Sequence, residues 1–289
     1  MIEHNFIRSV NLKFFLIFII SWLCFLIFSP YQLSELLNYA SFSILGVVGA
    51  IFANATGAGG GVIFIPMFNQ LSFTENQAIA TSFAIQCFGM SAGAITWWHY
   101  YKIQKTELRL WEGFKRTVVL TSVASMIGLG TIFYLELRSP TSLHTSFSIF
   151  SLLLGGFIIA TAYLIKPSKA VNKIHCIDYI VFIVIGLFGG AITAWLSIGV
   201  GELLAIYLIL RRFDISMAVA SAVMVSAITV WSAIGQVNKE VYWQVVMFAG
   251  PGAVLGGIFA KTLVMKLSAV KLKVFFASWL LITGTVSLL

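Results

Sequence analysis

The chain has 289 residues, 60% of them hydrophobic and only 10% charged, with a formal net charge of +8. Soluble domains carry about 25% charged residues; a water-soluble fold could not cover this much apolar surface, so the sequence is that of a polytopic membrane protein. The basic balance is not a nucleic-acid footprint, because the bases sit in short clusters between apolar runs, as the positive-inside rule predicts.

In chain order the apolar runs fall at about 14–30, 39–71, 76–98, 117–137, 143–165, 179–210, 215–236, 243–262 and 270–289, most of them near the ~20 residues that cross a bilayer. The first follows Arg8 and Lys13 and lacks a small-x-small cleavage site before Pro30, so it is read as a span and not a signal peptide. Tyr39–Leu71 and Tyr179–Leu210 are too long for one simple span and too short for two. Each is interrupted by small residues, Asn54 to Gly61 in the first and Ser197 to Glu202 in the second.

The distribution of the 18 lysines and arginines decides how these two runs are threaded. If every run crossed, the bases would divide evenly between the two sides. If 39–71 and 179–210 instead return to the side they came from, only Arg138 and Lys239 are left outside. The charge bias therefore selects seven full spans and two re-entrant hairpins, with a cytoplasmic N-terminus.

The two hairpins align without a gap. Tyr39, Phe42, Gly46, Gly49, Gly59, Gly61, Phe73, Ala78 and Ala80 fall on Tyr179, Phe182, Gly186, Gly189, Gly199, Gly201, Phe213, Ala218 and Ala220. Thr74 with Gln77 reads as a capping box, and Asp214 takes the equivalent cap. Three spans separate the hairpins, so they dip from opposite faces, the inverted-topology plan of many transporters. The expected fold class is all-α and polytopic, two inverted repeats plus one extra helix. The divisions are 1–38, an N-terminal transmembrane helix; 39–165, repeat one; 166–178, a basic cytoplasmic linker; and 179–289, repeat two. Another division places 14–30 in repeat one and leaves 270–289 over. Gly155-Gly156, Gly189-Gly190 and Gly256-Gly257 are read as close helix contacts.

The stretch from Gly46 to Pro66, followed by Ala78-Ile79-Ala80-Thr81-Ser82, resembles the first repeat of the TauE/SafE (TSUP) sulfite exporter family. Gly186 to Gly201 resembles its second copy, so the likeness covers about residues 40–289. The second copy departs from the first, with Ser197 opposite Gly57, Glu202 opposite Val62 and Ile206 opposite Pro66. The resemblance implies secondary transport of small sulfur-containing anions such as sulfite, thiosulfate or organosulfonates, in a bacterial plasma membrane.

An oxyanion in a low-dielectric site needs donors, and helix N-termini and glycine-rich nests supply them. Half-helices are expected to start near Val62 and Leu203, presenting bare amides from Gly57, Gly59, Gly60, Gly61, Gly199 and Gly201 to a shared pocket. Asn54, Thr56, Thr193 and Ser197 flank the breaks; Thr81, Ser82, Gln86, Ser221 and Ser226 follow on the next helices. The competing reading is that the glycines only permit tight packing and the hydroxyls only cap backbone. Glu202, the one acid near mid-membrane, is a candidate proton carrier, or else an N-terminal capping carboxylate. Trp195 and Trp231 read as packing, and Trp97, Trp98, Tyr100 and Tyr101 as an interfacial belt.

The implied partners are a small anionic substrate and the lipid bilayer, with no nucleic acid; a homo-oligomer stays open. No cofactor or metal is expected, since Cys24, Cys87 and Cys176 are far apart and no paired Cys/His spacing occurs. An enzyme would need a nucleophile–base pair or a carboxylate pair in the membrane, and none is visible. A passive anion channel, or a non-transporting assembly partner, are the alternatives to a carrier.

Overall fold

A computed structural model describes residues 12–103, 110–164, 173–266 and 269–287. Most of the expected basic linker 166–178, the first eleven residues and Lys105 and Arg109 of the basic loop lie outside the described residues. Among the described residues the fold is all-helical. The helices are α1 (Leu12–Ile27), α2 (Leu33–Leu37), α3 (Phe42–Thr56), α4 (Gly61–Gln70), α5 (Glu75–Ile103), α6 (Phe114–Tyr134), α7 (Leu143–Leu164), α8 (Cys176–Leu196), α9 (Val200–Leu210), α10 (Ile215–Val237), α11 (Trp243–Lys266) and α12 (Ala269–Val286). Six of them, α5, α6, α7, α8, α10 and α11, are long and apolar enough to cross a bilayer.

Both interrupted runs double back. In the second, Asp178 at the start of α8 is paired with Arg211 just beyond α9, Nε to Oδ1 at 2.8 Å. Tyr207 donates its hydroxyl proton to the same carboxylate, and its ring meets Phe182 edge-on at 5.9 Å. In the first, Tyr39 and Phe73, which flank the run, both pack on Tyr242, with ring centroids 5.7 and 5.0 Å away. Each hairpin is thus closed at its mouth by aromatic and polar contacts.

The arms are unequal, as the off-centre position of the break in 179–210 requires. At 1.5 Å per residue α8 is about 31 Å long and α9 about 16 Å. The three residues between them absorb the difference by running back along α8. Val200 lies against Gly189, where a Cβ would come within 2.7 Å of the Val200 Cα. From that level α9 needs only its own length to bring Arg211 beside Asp178.

Small residues let helices distant in sequence touch. Gly46 of α3 lies against the Ala249 carbonyl of α11, and Gly186 of α8 against the Thr121 carbonyl of α6. So α11 embraces the long arm of the first hairpin and α6 that of the second, while α5 packs on α10 and α7 on α12. Without a hydrophobic drive between helices in lipid, such close approach supplies the packing energy. Gly155 and Gly256 make the contacts expected of them, but Gly156 has nothing near it. The aromatic group at the end of α5 is not a simple belt. Trp97 is fully buried, and Trp111 and Phe114 join the cluster, tilted against Tyr101 with ring centroids 5.3 and 4.9 Å away.

Candidate functional site

The two breaks meet. In the first, α3 stops at Thr56 because Gly57 turns left-handed at φ 80°. The Thr56 hydroxyl folds back on the Phe52 carbonyl at 2.9 Å and accepts the Ala58 N–H at 3.2 Å. In the second, α8 stops at Ser197, itself left-handed at φ 59°, and Gly199 adopts φ 146°, which only glycine takes without strain. Thr193 holds this turn, donating to the Gly189 carbonyl at 2.7 Å and accepting the Val200 N–H at 3.1 Å.

Two side chains then tie break to break. Glu202 lies in the first turn of α9 and is fully buried. Its Oε2 accepts the Gly199 N–H at 2.7 Å, capping its own helix, and its Oε1 accepts the Gly59 N–H of the other hairpin at 2.8 Å. Gln86, on α5, accepts the Gly60 N–H at 2.8 Å and donates to the Ser197 Oγ at 2.8 Å and the Ser197 carbonyl at 3.2 Å. Ser197 in turn donates to the Ser82 Oγ at 2.9 Å. The backbones are so close that a Cβ on Gly61 would come within 2.6 Å of the Ser197 carbonyl, and one on Gly201 would collide with the Gly57 carbonyl.

Between the tips is a cavity of about 10 Å³, lined by Gly59, Gln86, Thr193, Ser197, Glu202, Ser226 and neighbouring residues. That is room for about one water. Among the described residues Glu202 is the only ionisable side chain lining it. The Ser226 hydroxyl is buried there without a partner among the described residues. A second, open hollow of about 550 Å³ is lined by Glu75, Glu136, Arg138, Ala194 and Trp195, among others. A buried apolar cluster that includes Phe83, Ile132, Ala194 and Val230 joins them, Ile132 and Ala194 lining the hollow and Val230 the cavity.

The sequence expectation is corrected in one central respect: the amides of Gly59, Gly60 and Gly199 are not bare, because side-chain oxygens already take them. The first half-helix starts at Gly61, next to the expected Val62, and the second at Val200, three residues before Leu203. Glu202 caps its own helix, the alternative to a proton carrier, and its second oxygen also takes the Gly59 N–H of the other hairpin. Three predicted residues lie off the site. Asn54 spends its amide on the Ala50 and Gly89 carbonyls at 2.8 and 3.2 Å, binding α3 to α5. Thr81 accepts the Tyr242 N–H at 2.9 Å, and Ser221 donates to the Met217 carbonyl at 2.7 Å. Ile198, Val200 and Val230 line the cavity and were missed. Only the spacing of Val230, one turn beyond Ser226, could have pointed to it.

A helical chain whose glycine breaks converge tip to tip carries the architecture suggested by its sequence motifs, and a family model described as "Sulfite exporter TauE/SafE" matches residues 42–286. The chain belongs to the TauE/SafE sulfite exporter family. Searches of curated proteins and of solved structures returned no match. Membership in the TauE/SafE family makes the chain an integral membrane protein of a transport family and not of an enzyme family. The matched region includes both breaks, α5 with Gln86 and α10 with Ser226.

Proposed function

We propose that this protein is a secondary transporter of small sulfur-containing oxyanions, working by alternating access around the meeting point of the two breaks. The observation that carries this reading is the convergence of the Gly59 and Gly199 N–H groups, one from each hairpin, on a single carboxylate at 2.8 and 2.7 Å. Two opposed helix N-termini create positive potential where neither lysine nor arginine is present. The cavity of about 10 Å³ is too small for sulfite, so a solute binds only when the tips part. The open hollow beside Arg138 is the proposed access from the outer side, and the apolar cluster that joins it to the cavity is the proposed gate.

In this reading the units 39–165 and 179–289 are inverted repeats that rock against each other, with the N-terminus in the bacterial cytoplasm. The exchange of partners in the packing, α11 on α3 and α6 on α8, supports the repeat relationship. Glu202 takes up and releases the coupled proton. The test is flux in proteoliposomes with sulfite, thiosulfate, sulfoacetate, taurine and sulfate, with and without a pH gradient. Saturable, gradient-driven flux of at least one sulfur oxyanion is expected. Currents of single-channel size would replace the carrier with a pore, and no flux of any of these solutes would end the reading.

A further inference from the structure

The position of Glu202 leads beyond a proton-carrying role. Its two oxygens are divided between the hairpins, Oε1 to Gly59 and Oε2 to Gly199. A carboxylate therefore already occupies the site that opposed helix starts would offer to a solute. Beside it, Ser226 is 3% exposed, its hydroxyl has no hydrogen-bond partner among the described residues, and it lines the same cavity. Two amides in use and one hydroxyl out of use describe a donor set for three oxygens, of which the carboxylate supplies two.

We propose that Glu202 is a tethered stand-in for the transported anion: its carboxylate and the solute are alternative occupants of the Gly59 and Gly199 amides. This rests on the transport reading above and deepens it. The solute must present an O–X–O unit to the two amides and a third acceptor to Ser226. Sulfite and sulfonate groups satisfy all three; a simple carboxylate satisfies only two. While Glu202 is in place the tips are bridged and the site is closed. When it swings out it gives up both hydrogen bonds, and it leaves the low-dielectric site carrying a proton, so proton and anion are taken up together.

Among the described residues no other charged side chain lines the cavity beside Glu202. The α3–α4 break, α5, α8 and α10 present amides, hydroxyls and apolar side chains to it. The other ionisable groups nearby are Cys87 of α5, which points to the Val230 carbonyl, and Asp178, Tyr207 and Arg211, which pair with one another at the far end of α9.

The experiment is thermal unfolding of the full-length protein in detergent, titrated with formate against chloride. Formate carries the O–C–O unit without a tether. Glu202→Ala is expected to unfold several degrees below wild type in chloride and to recover most of that loss in formate. Wild type and the space-filling Glu202→Gln are expected to show no formate-specific response. If formate stabilises all three alike, or fails to stabilise Glu202→Ala, the stand-in role is overturned. Glu202→Ala is also purified in formate throughout, and failure to fold even there overturns the proposal too. Wild-type flux separates the two readings: transport without formate rescue sinks only the stand-in, and rescue without transport sinks only the carrier.

Discussion

Gln86 and Ser197 are joined twice, the side-chain amide of Gln86 donating to both the hydroxyl and the carbonyl oxygen of Ser197, at 2.8 and 3.2 Å. The other end of the same amide accepts from Gly60. One neutral side chain on α5 thus holds both breaks in register without adding charge to the site.

Gln86→Leu keeps the volume and removes all of these bonds. It leaves the Gly60 N–H and the two Ser197 oxygens buried without this partner, at a cost of about 1–3 kcal/mol for each group left unsatisfied. Thermal unfolding should show this loss, and flux should fall with it because the tips no longer align. A Gln86→Leu protein as stable as wild type would mean that the two breaks are held by Glu202 alone.

Much of this architecture is legible in the sequence, for identifiable reasons. The hairpins follow from charge, because bases such as Lys115 and Lys261 can sit on one side only if 39–71 and 179–210 return. The caps follow from local chemistry: Gln77 and Thr74 bond each other's backbone N–H at 3.2 Å, and Asp214 accepts from Ser216 and Met217. What the sequence could not show is which acceptor reaches which amide across a gap of more than a hundred residues. Glu202 lies three residues after Gly199, and that spacing does suggest a cap, but nothing local says that its second oxygen reaches Gly59. Thr81 and Ser82 are adjacent, yet only Ser82 faces the site, because a helix turns neighbours by about 100°. The direction of the Asn54 side chain is likewise invisible in the sequence: it leaves α3 toward the Gly89 carbonyl.

The glycines of the first break should differ in their tolerance of a methyl group. At Gly61 a Cβ would lie 2.6 Å from the Ser197 carbonyl, which is backbone and cannot step aside without parting the tips. At Gly59 the nearest atom is 3.0 Å away, a milder crowding. Gly61→Ala should therefore cost more stability and more flux than Gly59→Ala. Gly235→Ala, in α10 with nothing within 4 Å, should be neutral or gain up to about 1 kcal/mol from helix propensity. Equal effects at positions 61 and 235 in unfolding experiments would show that the tips do not touch as described.

The mouth of the second hairpin makes a separate prediction. Asp178 is fully buried and is held by Arg211 through Nε at 2.8 Å and a second guanidinium nitrogen at 3.1 Å. Removing the cation strands a buried carboxylate, which costs about 3–5 kcal/mol, whereas Tyr207→Phe removes one of several donors to the charged group and costs about 1.5–3 kcal/mol. Arg211→Ala combined with Asp178→Asn should regain part of the loss, since no charge is then left behind. A double-mutant cycle on unfolding free energy measures this, and strictly additive losses would mean the pair contributes no coupling.

Ser226 separates folding from transport. Its hydroxyl is buried beside the closed site and makes no hydrogen bond there among the described residues, so Ser226→Ala removes nothing from the closed structure. The unfolding midpoint should stay at the wild-type value or rise slightly, because an unsatisfied buried hydroxyl is lost. The bound oxyanion, however, loses the donor to its third oxygen. A hydrogen bond to a charged group is worth about 1.5–3 kcal/mol, so KM for the transported sulfur oxyanion should rise roughly tenfold or more, with little change in maximal rate. Ser226→Thr keeps the hydroxyl and adds a methyl group where Gly201 already presses on the side chain; it should lose stability in addition to affinity. Initial-rate flux at a series of concentrations, set beside thermal unfolding, distinguishes the two variants. If Ser226→Ala transports with unchanged KM, the hydroxyl does not meet the solute, and the three-oxygen description of the site fails.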